Sequence, residues 1–148
     1  MRLAEIMTPN VVTAALDESL LKVAQLMRDH RVGSVVICDP AGGPCAMITD
    51  RDVAVRGTAE RHDLAAPVTE LVSRPLVTGD PEMGLEEAAA LMVQHHVRRL
   101  PVLDDGELVG IVTLDDIAVR TGNLEVAQRM TREVVEGAIP GFYFHERG

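Results

Sequence analysis

Hydrophobic positions along the chain alternate between two spacings, and the switches mark its elements. Leu20, Val23, Ala24 and Met27 recur at helical spacing after an Asp17 placed to cap, so a helix is expected to run to about residue 29. Residues 33–38 are a continuous apolar strand, residues 39–44 a turn rich in Gly and Pro, and residues 46–49 the returning strand. A closing helix follows from about Asp50 to Gly57. Ahead of these lie a short helical lead-in at residues 3–7 and a β-branched strand at residues 10–14.

The same series is then written again. Residues 3–39 overlie residues 68–104, matching Glu5, Leu20, Met27, His30 and Asp39 to Glu70, Leu85, Met92, His95 and Asp104. After one extra residue in the first turn, Gly42, Thr49, Asp52 and Arg56 meet Gly106, Thr113, Asp116 and Arg120. The second copy predicts a strand at residues 76–78 and a helix at 85–94 with Leu85, Ala88, Ala89 and Met92 inward. A hairpin at 99–103 and 108–113 and a helix stopping near Gly122 complete it. Each unit reads β-α-β-β-α, an α/β (α+β) class. A unit of this size buries little surface alone, so two repeats packed with pseudo-two-fold symmetry are expected. The domains are residues 3–57 (first repeat), 58–67 (polar linker), 68–122 (second repeat) and 123–148 (C-terminal helix and aromatic tail). In the last, Leu124, Ala127, Met130, Val134 and Ala138 form one apolar stripe before Pro140-Gly141 and Phe142-Tyr143-Phe144.

Candidate chemistry sits where each second hairpin strand meets a helix. Residues 46–52 read AMITDRD and residues 110–116 read GIVTLDD, both in the frame T-x-x-D. A helix start carries unsatisfied N–H groups and partial positive charge, which suits an anionic or hydroxyl-rich ligand. A carboxylate can accept from both hydroxyls of a ribose, and a guanidinium matches phosphate. His95, His96, Arg98 and Arg99 are the densest basic cluster. Ser/Thr-x-x-Asp/Glu is equally a capping box that needs no ligand. His30 and His95 fit helix C-termini as dipole partners.

Composition narrows the functions. The net charge of −9 disfavours nucleic acid and anionic membrane as partners. The apolar runs fall short of the roughly 20 residues that span a bilayer, and no secretory signal opens the chain, so a cytoplasmic protein is expected. No nucleophile–base pair, metal frame or GxxxxGK[ST] loop is present, so the chain reads as a non-enzyme without catalytic or metal residues. Cys38 and Cys45 flank the first hairpin turn, as small apolar residues, as a disulfide, or as part of a metal site for which two cysteines alone are a weak signal.

The doubled unit, M-T-P-x-V-V-T at residues 7–13, H-x-V-R-R-L-P-V at 95–102 and G-I-V-T-x-x-D at 110–116 resemble the tandem CBS domain, or Bateman module. The likeness covers residues 3–120 and is closest to small stand-alone bacterial CBS-pair proteins. It implies a regulatory sensor with no covalent cofactor. Such a sensor would bind AMP, ADP, ATP or S-adenosylmethionine in clefts between repeats and signal to a protein partner, as a homodimer. Carried over, the ligand-binding residues are Thr113, Asp116, Thr49 and Asp52 for ribose or phosphate, and Arg98 and Arg99 for phosphate. The first copy departs, with Ala46 for Gly110 and Gly33-Ser34 for Arg98-Arg99. A methyl there would crowd a ligand, and Arg51 is the substitute cation, so two unequal sites are expected. The competing reading is a ligand-independent dimeric scaffold.

Overall fold

The computed structural model describes residues 1–122; the expected C-terminal helix and aromatic tail lie outside them. In chain order the elements are α1 (Leu3–Ile6), β1 (Thr13–Ala15), α2 (Leu20–His30), β2 (Ser34–Cys38), β3 (Pro44–Thr49) and α3 (Asp50–Asp52). A π-helical stretch, Val53–Thr58, prolongs α3, and a single 3-10 turn covers Val68–Glu70. Then come α4 (Leu85–His95), β4 (Arg99–Asp104), β5 (Glu107–Thr113) and α5 (Leu114–Thr121). Among the described residues no helix is long and apolar enough to cross a membrane.

Two compact units divide the chain, and their boundaries cross those of the repeats. One is Asn10–Leu76; the other joins Met1–Pro9 to the described residues from Val77 onward. Each copy's lead-in therefore belongs to the core of the other copy's body. In the unit from Asn10 to Leu76, β1 runs parallel to β2 and β2 antiparallel to β3, with Ser34 opposite Thr49 and Ile37 opposite Ala46. Ser73 extends the far edge by exchanging backbone hydrogen bonds with Met47 at 2.8 and 3.3 Å. The core gathers Leu20, Val23 and Met27 of α2 with Val35, Ile37, Ala46, Ile48, Val68, Leu71 and Val72. Alternation along β2 and β3 and the three-to-four spacing along α2 place these side chains on one side.

The other unit repeats the plan. β4 and β5 are antiparallel, with Arg99 opposite Thr113. Residues 76–78, expected as a strand, have no ladder, and the parallel edge shrinks to one bridge at Gly79. There the Gly79 N–H donates to Pro101 O (2.8 Å) and Gly79 O accepts from the Leu103 N–H (3.0 Å). The opposite edge is closed by Thr8, which exchanges hydrogen bonds with Ile111 at 2.9 and 3.0 Å. Leu3 and Ile6 of α1 complete a core of Leu85, Ala88, Ala89, Met92, Leu100, Val102, Val112, Leu114 and Ile117.

Helix ends differ from the sequence expectation in instructive ways. Ser19, not Asp17, caps α2, its hydroxyl accepting from the Lys22 N–H at 3.1 Å. Two more of that helix's first N–H groups, on Leu20 and Leu21, donate to Ala66 O and Leu64 O at 3.0 Å each. The polar linker is thus a capping segment. Both long helices end in a left-handed residue that is not glycine: Arg31 after α2 and His96 after α4. The expected helix from Asp50 to Gly57 keeps only one α turn before widening to the π form.

Candidate functional site

Each T-x-x-D corner is a completed capping box. At the second, the Thr113 N–H donates to Asp116 Oδ2 (2.8 Å) and the Asp116 N–H donates to Thr113 Oγ1 (3.1 Å). At the first, the Thr49 N–H donates to Asp52 Oδ2 (2.9 Å) and the Asp52 N–H to Thr49 Oγ1 (3.2 Å). The reciprocal bonds satisfy helix-start donors and fix both side chains in one geometry. All four residues are half-buried.

The boxes do not consume the groups they use. An ionised carboxylate offers about four acceptor positions and a hydroxyl one donor. Among the described residues, Asp116 Oδ1 accepts no hydrogen bond and the Thr113 hydroxyl donates none. The first corner is more committed, because the Thr49 hydroxyl also donates to Asp52 Oδ2 at 3.0 Å. The corners differ again in the helices behind them. α5 has 8 residues, while α3 has 3 before the backbone widens. An aligned set of peptide dipoles therefore stands behind Thr113 and a shorter one behind Thr49.

Strand register decides which cations join them. Arg99 lies directly opposite Thr113 at the end of the β4–β5 ladder. The adjoining bond, from the Leu114 N–H to Arg98 O (3.1 Å), makes that pair the non-hydrogen-bonded kind, in which side chains approach most closely. Arg99, Thr113 and Asp116 are therefore one constellation. Arg98 is exposed just outside the strand, and His95 and His96 are exposed at the end of α4. In the first copy, Ser34 stands opposite Thr49, and the exposed Arg51 supplies the adjacent cation from the first turn of α3. Among the described residues none of Arg51, Arg98 and Arg99 is in an ion pair. Nor does any group of three or more His, Cys, Asp or Glu there converge as a metal site.

Gly110 and Ala46, expected to border a ligand, instead meet protein. A methyl on Gly110 would sit 2.6 Å from Met7 Sδ and 2.9 Å from Met7 Cβ, so its glycine answers to the lead-in packed on β5. Ala46 is fully buried in the core of the Asn10–Leu76 unit, where its methyl meets protein. At the position matching Met7 that unit carries Val72, smaller by about the volume that Ala46 adds. Gly79 is constrained alike, with Leu3 Cδ1 at 2.8 Å and Leu100 Cδ2 at 2.9 Å from a built methyl. Its counterpart Ala14 packs on a core whose matching residues are Val68 and Val35. Small-with-large in one unit and medium-with-medium in the other conserve volume.

Gly110→Ala is accordingly expected to cost about 1–3 kcal/mol through overpacking. Combining it with Met7→Val should recover most of that loss, a coupling that denaturant titration of the four-member cycle would read. Equal losses that simply add would separate Gly110 from Met7. These volume matches are the signal by which the exchanged lead-ins could have been found in the sequence.

The CBS domain pattern matches residues 3–56 and 68–120. CBS domain-containing protein YhcV of Bacillus subtilis is 44% identical over 121 residues, 82% of this chain and 86% of its own length. Among solved structures, the CBS domain protein PAE2072 from Pyrobaculum aerophilum complexed with AMP is similar at a TM-score of 0.77 and 27% identity, covering 86% of this chain and 99% of that one. The CBS domain pair of MJ0100, in complex with 5'-methylthioadenosine and S-adenosyl-L-methionine, is similar at 0.75 and 25% identity, covering 84% and 98%. The chain belongs to the CBS domain family and carries the domain twice, as a tandem pair.

Proposed function

We propose that this protein is a regulatory module that binds an adenosine-containing nucleotide at its T-x-x-D corners and transmits occupancy to a protein partner. The observation that carries the reading is the second corner: Arg99 paired with Thr113, and Asp116 held by its cap with Oδ1 open. Arg99, with Arg98 beside it, supplies cations for phosphate in a chain of net charge −9. Asp116 accepts from ribose hydroxyls, and the Thr113 hydroxyl donates to a phosphate or ribose oxygen. Thr49, Asp52 and Arg51 form a second, weaker corner, since one hydroxyl proton is already used and the paired position is Ser34. The relatives solved with AMP and with S-adenosyl-L-methionine support this ligand class.

Sensing requires that the ligand prefer one arrangement of the protein, because it shifts an equilibrium only by its difference in affinity. Thermal unfolding with AMP, ADP, ATP and S-adenosylmethionine tests the reading. A ligand at about 100 times its Kd adds roughly 2.7 kcal/mol to stability. The completed capping boxes favour one competitor, a ligand-independent homodimeric scaffold whose corners serve only to start helices. No stabilisation by any of the four compounds would establish that reading instead.

A further inference from the structure

The only two cysteines of the chain meet at the mouth of the β2–β3 hairpin. Ile37 is opposite Ala46 and Cys38 opposite Pro44, so Cys45 is the extra residue of a bulge, and two residues oppose one. The ladder's phase fixes how Cys38 is presented. Its carbonyl accepts from the Leu16 N–H on the β1 side (3.1 Å), while hydrogen-bonded links to the β3 side flank it at Asp39 N–H to Gly43 O (2.9 Å). Cys38 is therefore at a non-hydrogen-bonded position toward β3, where opposed Cα atoms lie about 4.5 Å apart; its registered partner is Pro44, and Cys45 is the next residue along the bulged strand. Two residues, Pro44 and Cys45, thus face Cys38 across the bulge; Cys45 packs against the core of this unit and lies near enough to act electrostatically on the Cys38 thiol.

The loop between them is already closed. Asp39 accepts from the Gly43 N–H through its side chain (2.9 Å) and from the Gly42 N–H through its carbonyl (2.8 Å). Both thiols are free and half-buried. The matching positions of the second repeat are Leu103, opposite Leu108, and Val109, an aliphatic pair at an equivalent bulge. Packing is thus met there without sulfur.

We propose that Cys38 and Cys45 are a redox site that closes to an intramolecular disulfide by exchange with a low-molecular-weight disulfide. One cysteine thiolate attacks the oxidant RSSR, forming a mixed disulfide and releasing one RS⁻. The second thiolate attacks that sulfur, forming the Cys38–Cys45 bond and releasing another RS⁻. The two protein protons end on the two RS⁻, so the oxidant leaves as two RSH. Burial, then the neighbouring Cys45 and Asp39, push the Cys38 thiol up, which assigns first attack to Cys45 and resolution to Cys38. The bond pins the register of β3, whose other end is Thr49.

Both cysteines fall in one tryptic peptide, residues 32–51, and the Asp39–Pro40 bond between them is acid-labile. The full chain would be incubated with oxidised glutathione, alkylated and digested. The expected peptide takes no alkyl group, is lighter by about 2 Da, and stays in one piece after mild acid until reductant is added. Oxidised protein should also melt at a higher temperature than reduced protein, a difference absent from the Cys38→Ser, Cys45→Ser double variant. Two alkylated thiols, a persistent glutathione adduct on the wild-type peptide, or chains joined to one another would each overturn the proposal.

Discussion

Leu3→Ala is expected to loosen the second repeat while leaving the first intact, although Leu3 precedes the first in the chain. Leu3 is fully buried, its N–H donates to Met83 O at 2.9 Å, and it belongs to the core with Leu85, Met92 and Leu100. Truncating a buried leucine costs about 2–5 kcal/mol, the lost transfer energy plus the cavity left behind. The site has little means of collapse, because Gly79 beside Leu3 has no side chain to move in. Native-state hydrogen exchange should therefore show amides of α4, β4 and β5 losing protection, with α2, β2 and β3 unchanged. Protection lost first in β2 and β3 would mean that α1 supports its own repeat.

This exchange is also the part of the fold that periodicity could not display. Repeat matching aligns Leu3 with Val68 and Met7 with Val72, but it is blind to which body each lead-in packs against. The body elements were legible because a single face decides them. Leu20, Val23 and Met27 on α2, and Leu85, Ala88 and Met92 on α4, are all buried. Where local signals were close in strength, context chose between them. Asp17 and Ser19 both suit a helix cap, and the N–H groups that follow Ser19 are met by Leu64 and Ala66, so the helix starts there. Residues 76–78 have strand composition, yet only Gly79 lies close enough to β4 to pair. At the corners the frame T-x-x-D was legible, but the identity of its partner was not. Register alone brings Arg99 rather than Arg98 opposite Thr113. Gly110, by contrast, had two physical explanations in sequence, ligand approach and packing, and Met7 supplies the second.

Asp116→Asn is expected to separate the two duties of that side chain. The amide oxygen of Asn can still accept from the Thr113 N–H, which Asp116 Oδ2 now does at 2.8 Å, so the capping box closes with either residue. Stability without ligand should therefore change little. Ribose hydroxyls, however, would lose an ionised acceptor. Hydrogen bonds to a charged group contribute about 1.5–3 kcal/mol against about 1 for neutral ones, so affinity for the nucleotide should fall roughly 2- to 30-fold for each ribose hydroxyl bond weakened. Asp116→Ala removes both duties, leaving the Thr113 N–H without its acceptor at a further cost of about 1–3 kcal/mol in unfolding free energy. The same change at Asp52 should weaken binding less, since the Thr49 hydroxyl already occupies part of its acceptor capacity and Ser34 stands where the second repeat has Arg99. Calorimetric titration of the wild type and the two Asn variants, beside their unfolding curves, reads both duties at once. Should Asp116→Asn bind nucleotide as tightly as the wild type, the carboxylate is a helix cap and nothing more, and the ribose must be held elsewhere.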